Sequence, residues 1–175
     1  IPGLKKIARD KVKIGFPRVL NHYLVQPFFN AYFETLGFNT KNFYFSQFTN
    51  EEMYRKGSKR GSVDPCFPSK VALSHVTDLL DRYGNDLDCI VFPMINSISS
   101  GLENVWENKA CPTVAGTPEM VYSALTKEEN IFQKNNITFL KPFFDFPETG
   151  VLEKELFMEW GDIFTLGGTE NHIAV

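Results

Sequence analysis

Between positions 11 and 16 the chain reads K-V-K-I-G-F, with Val12, Ile14 and Phe16 alternating with Lys13 and Gly15. That period of two predicts a strand, which Pro17 closes. After Pro27 the period lengthens. Phe29, Phe33 and Leu36 fall on one face of a helix that Pro27 opens and Gly37 stops. The aromatic run 42–46 predicts a second strand. Thr49, with Glu52 three positions on, forms a capping box for a short helix reaching about Lys56. Residues 57–65, with Lys59 and Arg60, are turn-rich and polar and read as a surface loop.

The alternation continues to the end of the chain. Pro68 opens a helix with Ala72, Val76, Leu79 and Leu80 on one side and Gly84 beyond its end. Residues 87–92, L-D-C-I-V-F, have the continuous apolar character of a strand covered on both faces. Residues 112–116 are expected to form another short strand. Thr117-Pro118-Glu119 then supplies an N-cap, a first-turn proline and a first-turn acid for a helix lined by Met120, Val121, Ala124 and Leu125. A strand over 138–146, weakened by Pro142, and a helix over 152–164 complete the pattern. Strands alternating with helices predict an α/β fold with a parallel sheet flanked by helices. The expected organisation is a lead-in over 1–10, a single α/β domain over 11–164, and a tail over 165–175. A chain that opens on Ile1 without a signal-peptide layout is expected to be an excised piece of a longer protein.

Composition narrows the function classes. The chain has 175 residues, 43% of them hydrophobic, enough for a core and against disorder. With 18 Lys and Arg against 21 Asp and Glu, the net charge is −3. Nucleic-acid backbones and anionic membranes call for a basic surplus, so neither is an expected partner. Three cysteines are too few for a disulfide scaffold, which points to a reducing, cytoplasmic setting. Neither the G-x-G-x-x-G nor the phosphate-loop fingerprint occurs, and there is no C-x-x-C pair or G-x-S-x-G elbow. His22, His75 and His172 lack ligand spacing, and His75 is expected to be structural or on the surface.

Open α/β sheets bind ligands beyond the carboxyl ends of their strands, which selects three segments. The first is 17–26, read as a long connection carrying Arg18, Asn21, His22 and Tyr23. The second is 64–70, D-P-C-F-P-S-K, where Cys66 precedes a helix whose N-terminus favours the thiolate. The third is 93–97, where Met94 would face the same mouth as Cys66, either as a gap-filler or as part of a site. Cys89 is expected in the core. If 112–116 is a parallel strand, Cys111 stands at its far end, roughly 16 Å from the Cys66 mouth.

Taken in order, several of these segments resemble a known family. Ile14-Gly15-Phe16-Pro17-Arg18-Val19-Leu20-Asn21, Pro27-Phe28-Phe29 and Leu36-Gly37-Phe38 are similar to the opening of the uncharacterised domain of CoA-substrate-specific enzyme activases. That domain is related to the 2-hydroxyacyl-CoA dehydratases. Asp64, Cys66-Phe67-Pro68 and Lys70 resemble the family's D-x-C-[YF]-P-x-K, and Phe92-Pro93, Cys111-Pro112 and Thr117-Pro118-Glu119 follow in its order. The resemblance implies a Rossmann-like domain, here of about four to five strands. It also implies a 4Fe–4S cluster held by cysteines and fed by an ATPase activator domain in the same or a partner chain, as part of anaerobic metabolism. Cys66 and Cys111 are the metal ligands so implied, and Met94 lies where relatives often carry Cys or Arg.

The first functional expectation is therefore an iron–sulfur or electron-transfer domain with no activity of its own. The alternative is a non-catalytic docking module whose Arg18, Asn21 and Lys70 hold an anionic, acyl-CoA-like molecule. A thiol enzyme built on Cys66 ranks last, because no base lies near it in the sequence.

Overall fold

The computed structural model describes residues 3–57, 66–84, 86–100, 102 and 108–175. The loop cations Lys59 and Arg60, and Asp64 of the D-x-C motif, lie outside them. Four short strands, β1 (Ile14–Phe16), β2 (Phe43–Phe45), β3 (Cys89–Val91) and β5 (Thr138–Leu140), form a sheet in the order β2-β1-β3-β5. Every pairing in it is parallel. The second pair, β4 (Met94–Ser97) with β6 (Phe143–Asp145), is a continuation of the same ribbon. Val91 faces Leu140 and Met94 faces Phe143, so the register holds across the gap and sets Pro93 opposite Pro142. Phe92 and Met94 donate across the ladder to the carbonyls of Leu140 and Pro142, but Pro142 has no N–H to return to the Phe92 carbonyl, and this one missing bond splits the ladder into two sheets. The single strand expected over 138–146 is therefore two.

Side-chain alternation sorts the core into two layers. Ile14, Phe16, Phe43, Cys89, Val91 and Leu140 face a largely aromatic layer completed by α1 (His22–Thr35) and α6 (Thr149–Phe164). Phe33 and Trp160, both fully buried, meet there edge-on at 5.7 Å between ring centres. Ile90, on the opposite face, packs with Val76 and Leu79 of α3 (Phe67–Tyr83) and Val121 and Leu125 of α4 (Pro112–Thr126). Gly15 points to this side as well. A Cβ there would sit 3.0 Å from Leu87 Cδ1 and 3.2 Å from Ile90 Cγ1, so the bare backbone lets the layer close on β1.

The ends of the chain pack on this body. Leu4 is buried in the aromatic layer. Arg9 donates to the carbonyls of Leu36, Phe164 and Thr165 and pairs with Glu170 of α7 (Gly168–Ala174). Asn171 of α7 accepts the Tyr32 hydroxyl at 2.6 Å, a bond shielded from water. No helix among the described residues is long and apolar enough to cross a membrane.

Three local readings change. α1 begins at His22 rather than Pro27, so the connection after β1 shrinks to 17–21, an ordinary length. Pro27 sits inside the helix, where it forfeits only the bond to the Tyr23 carbonyl in the first turns. The short helix α2 (Glu51–Gly57) is capped by Asn50, whose Oδ1 accepts the Met53 N–H at 2.9 Å. Thr49 is not free for that role, because its hydroxyl lies 3.0 Å from His75 Nε2.

The third change matters most. Residues 112–116 are not a strand; they are the first turns of α4. Pro112 sits at the start, where its fixed φ suits a helix and its missing N–H costs nothing. The Cys111 carbonyl accepts the Ala115 N–H at 2.9 Å, and the Thr117 hydroxyl folds back to the Thr113 carbonyl at 2.6 Å. Burial of Thr117, Pro118, Val121 and Leu125 holds the helix, overriding the β-branched pair Thr113-Val114. Pro118 is interior to it rather than its opening residue.

Candidate functional site

In a parallel sheet each connecting helix runs back against the strands, so its N-terminus lies at their carboxyl edge. This places the starts of α1, α3 and α4 along one edge of the molecule. Cys66 is the N-cap of α3 and Cys111 the N-cap of α4, each with a proline in the first turn behind it. Both thiols are exposed, whereas Cys89 is buried in β3. Because Cys111 caps a helix, the roughly 16 Å separation computed for a strand does not apply. The two sulfurs are near enough to interact electrostatically.

Hydroxyl groups join the two helix starts. Ser69 Oγ, in the first turn of α3, lies 2.9 Å from Thr117 Oγ1 of α4 and 3.5 Å from Cys66 Sγ. The Thr117 proton serves either the Thr113 carbonyl or Ser69. When it serves Ser69, the Ser69 proton is left for the Cys66 sulfur. Hydrogen bonds from the Ser69 hydroxyl and amide hold the Cys66 thiol below its usual range, opposed by the neighbouring Cys111. Cys111 is likewise lowered, by the amides of Val114 and Thr113 and then by the Thr113 hydroxyl. Helix-start amides aimed at sulfur favour thiolate, the form that ligates metals. Burial pushes the Cys89 thiol the other way.

Beside Cys111's helix lies the switch point, where the chain leaves β1 to one side and β3 to the other. A small cavity there is lined by Pro17, Asn21, His22, Gln26, Pro93 and Val114, with about 20 Å³ of space open to water. That is room for about one molecule. His22 is pushed down to about 4 by burial and by the nearby Arg18 cation, so it is neutral at pH 7. Leu20 lines the cavity with φ of 58°, a left-handed turn that reverses the chain into α1.

The three expected anion-binding residues are not gathered in one mouth. Asn21 lies at the switch-point cavity. Lys70 in α3 places its Nζ 5.9 Å from the centre of the Tyr54 ring. Arg18 turns to the β2 edge, with its guanidinium 4.7 Å from the Phe45 ring centre and 4.8 Å from that of Phe48. Met94 opens β4 half-buried, its N–H paired with the Pro142 carbonyl at 2.7 Å. No third Cys, His, Asp or Glu among the described residues joins Cys66 and Cys111 as a metal-ligand group. Among the described residues the two exposed thiols are thus half the number of ligands that a four-thiolate cluster takes.

Sequence reasoning missed Ser69 and Thr117, because one sat in a motif read for its cysteine and the other was assigned to a cap. It also missed His75's part. That residue is buried and binds Ser46 Oγ through Nδ1 at 2.7 Å as well as Thr49 through Nε2, and Ser46 in turn accepts the Arg18 N–H at 2.7 Å.

Residues 13–175 fit the family model described as the CoA enzyme activase uncharacterised domain, which bears out the resemblance read from Ile14 onward. No curated protein and no solved structure matches the chain.

Proposed function

The chain belongs to the CoA enzyme activase uncharacterised domain family, and from that premise we propose that it presents Cys66 and Cys111 as two thiolate ligands of an iron–sulfur cluster. The domain itself carries no reaction. Its task is to hold the two sulfurs in fixed positions at the carboxyl edge of the sheet, where an activase or dehydratase partner reaches them. The remaining ligands come from outside the described residues. Such a cluster supplies one-electron chemistry, and the ATPase that drives the electron sits in another domain.

The observation that supports this reading best is the pairing of the two helix starts through Ser69 and Thr117. It gives each exposed cysteine a rigid backbone, amide donors and a thiolate neighbour, which a lone surface cysteine lacks. Anaerobic incubation of the chain with ferrous iron, sulfide and a small thiol to fill the open positions tests it. The chain is expected to retain iron and visible sulfur-to-iron absorbance after desalting. A colourless, iron-free product contradicts the proposal.

A further inference from the structure

A second feature lies along the β2 edge of the sheet, away from the cysteines. After β2, the edge strand, the chain and α3 enclose an open groove of about 670 Å³ lined by Arg18, Tyr44, Phe48, Asn50, Arg82 and Tyr83. Among the described residues several cations have a carboxylate partner: Arg9 has Glu170, Lys13 has Asp86, and Arg82 has Asp78. Arg18 has none among the described residues and rests instead against the rings of Phe45 and Phe48. Phe48 is 67% exposed. Since Asp78 balances Arg82, Arg18 carries the groove's uncompensated positive charge.

The base of the groove is built from buried parts. Ser46 is fully buried, accepts the Arg18 N–H and bonds to the equally buried His75. His75 also reaches Thr49 in the groove wall. Burial pushes His75 down to about 4, so it is neutral at pH 7, and this network of Ser46, His75 and Thr49 holds no carboxylate to pair with Arg18. A guanidinium whose backbone is locked and whose side chain is stacked loses little freedom on binding. Its N–H fork matches the two oxygens of a carboxylate or phosphate.

We propose that Arg18 anchors a binding site on the β2 edge for a small molecule carrying an oxyanion, carboxylate or phosphate, on a flat ring. The fork takes the oxyanion, while the exposed Phe48 ring offers the surface against which the flat ring lies.

The test follows the Arg18 Nε–H signal of the intact chain by NMR during titration with phenyl phosphate, benzoate, phenol and inorganic phosphate. Phenyl phosphate or benzoate is expected to give a saturable shift, and the tighter of the two identifies the oxyanion. Phenol and inorganic phosphate each lack one half of the ligand and should bind at least roughly tenfold more weakly. In the variants, which lack the Arg18 Nε–H signal, the Phe48 and Asn50 backbone amides report binding: Arg18→Gln should abolish it, and Arg18→Lys, which keeps the charge without the fork, should weaken it by roughly tenfold. Both variants keep the Ser46 bond, because that bond uses the backbone N–H, and unchanged melting temperatures verify their fold. The proposal is overturned if neither ring anion moves the Arg18 signal up to its solubility limit. Binding of phenol as tight as that of phenyl phosphate, or binding that survives Arg18→Gln, overturns it equally.

Discussion

Ser69 of α3 and Thr117 of α4 bring their side-chain oxygens within 2.9 Å of each other, and this buried contact fixes the helix start capped by Cys66 beside the one capped by Cys111. Thr117→Val keeps the shape but removes the hydroxyl. It should cost about 1–2 kcal/mol, since the Ser69 hydroxyl loses its buried partner. A urea titration measures that loss. Iron retention by the same variant should fall if the two sulfurs are held in place through this bond.

The three cysteines should separate cleanly by reactivity. Cys66 and Cys111 are exposed, with thiols held below their usual range, and both should be alkylated by iodoacetamide in the native protein faster than a free thiol near neutral pH. Cys89 is fully buried and should react only after unfolding. Mass spectrometry of native and urea-treated samples reads both results.

Stability should decline on mild acidification. His22 and His75 titrate near 6.5 when unfolded but at about 4 in the fold, chiefly because burial disfavours the charged ring. Between those values the unfolded chain binds more protons, so stability is complete above about pH 6.5 and falls as pH drops toward 4. For His75 the full loss is on the order of 3 kcal/mol. Urea midpoints at pH 7 and pH 5 should show the decline. His75→Gln, which can still hydrogen-bond but does not titrate, should flatten it.

Gly15→Ala tests the packing of β1. The added methyl meets Leu87 and Ile90 at 3.0 and 3.2 Å in the layer that supports α3 and α4. A destabilisation of about 1–3 kcal/mol is expected by thermal or chemical denaturation.

The α/β architecture was legible because strand and helix periods alternate plainly, as at Val12-Ile14-Phe16 against Phe29-Phe33-Leu36. Cys89 was placed in the core by the continuous apolar run around it. The start of α4 was not legible. Pro112, the β-branched Thr113 and Val114, and the cap-like Thr117-Pro118-Glu119 all argue locally for a strand followed by a later helix. What reverses this is burial of Thr117 and Val121 against α3, a tertiary effect invisible along the chain. That single change moves Cys111 from the far end of the sheet to the edge where Cys66 lies. The split of Arg18, Asn21 and Lys70 among three places was equally hidden, because it depends on the aromatic rings that Arg18 and Lys70 find in the fold, while Asn21 lines the switch-point cavity.

The most direct test of the central proposal is the iron content of single cysteine variants after identical anaerobic reconstitution. Cys66→Ser and Cys111→Ser should each lose most of the bound iron and the visible absorbance, while Cys89→Ala should keep both. Parent-level iron in either Cys66→Ser or Cys111→Ser would contradict a cluster site shared by the two helix-capping cysteines.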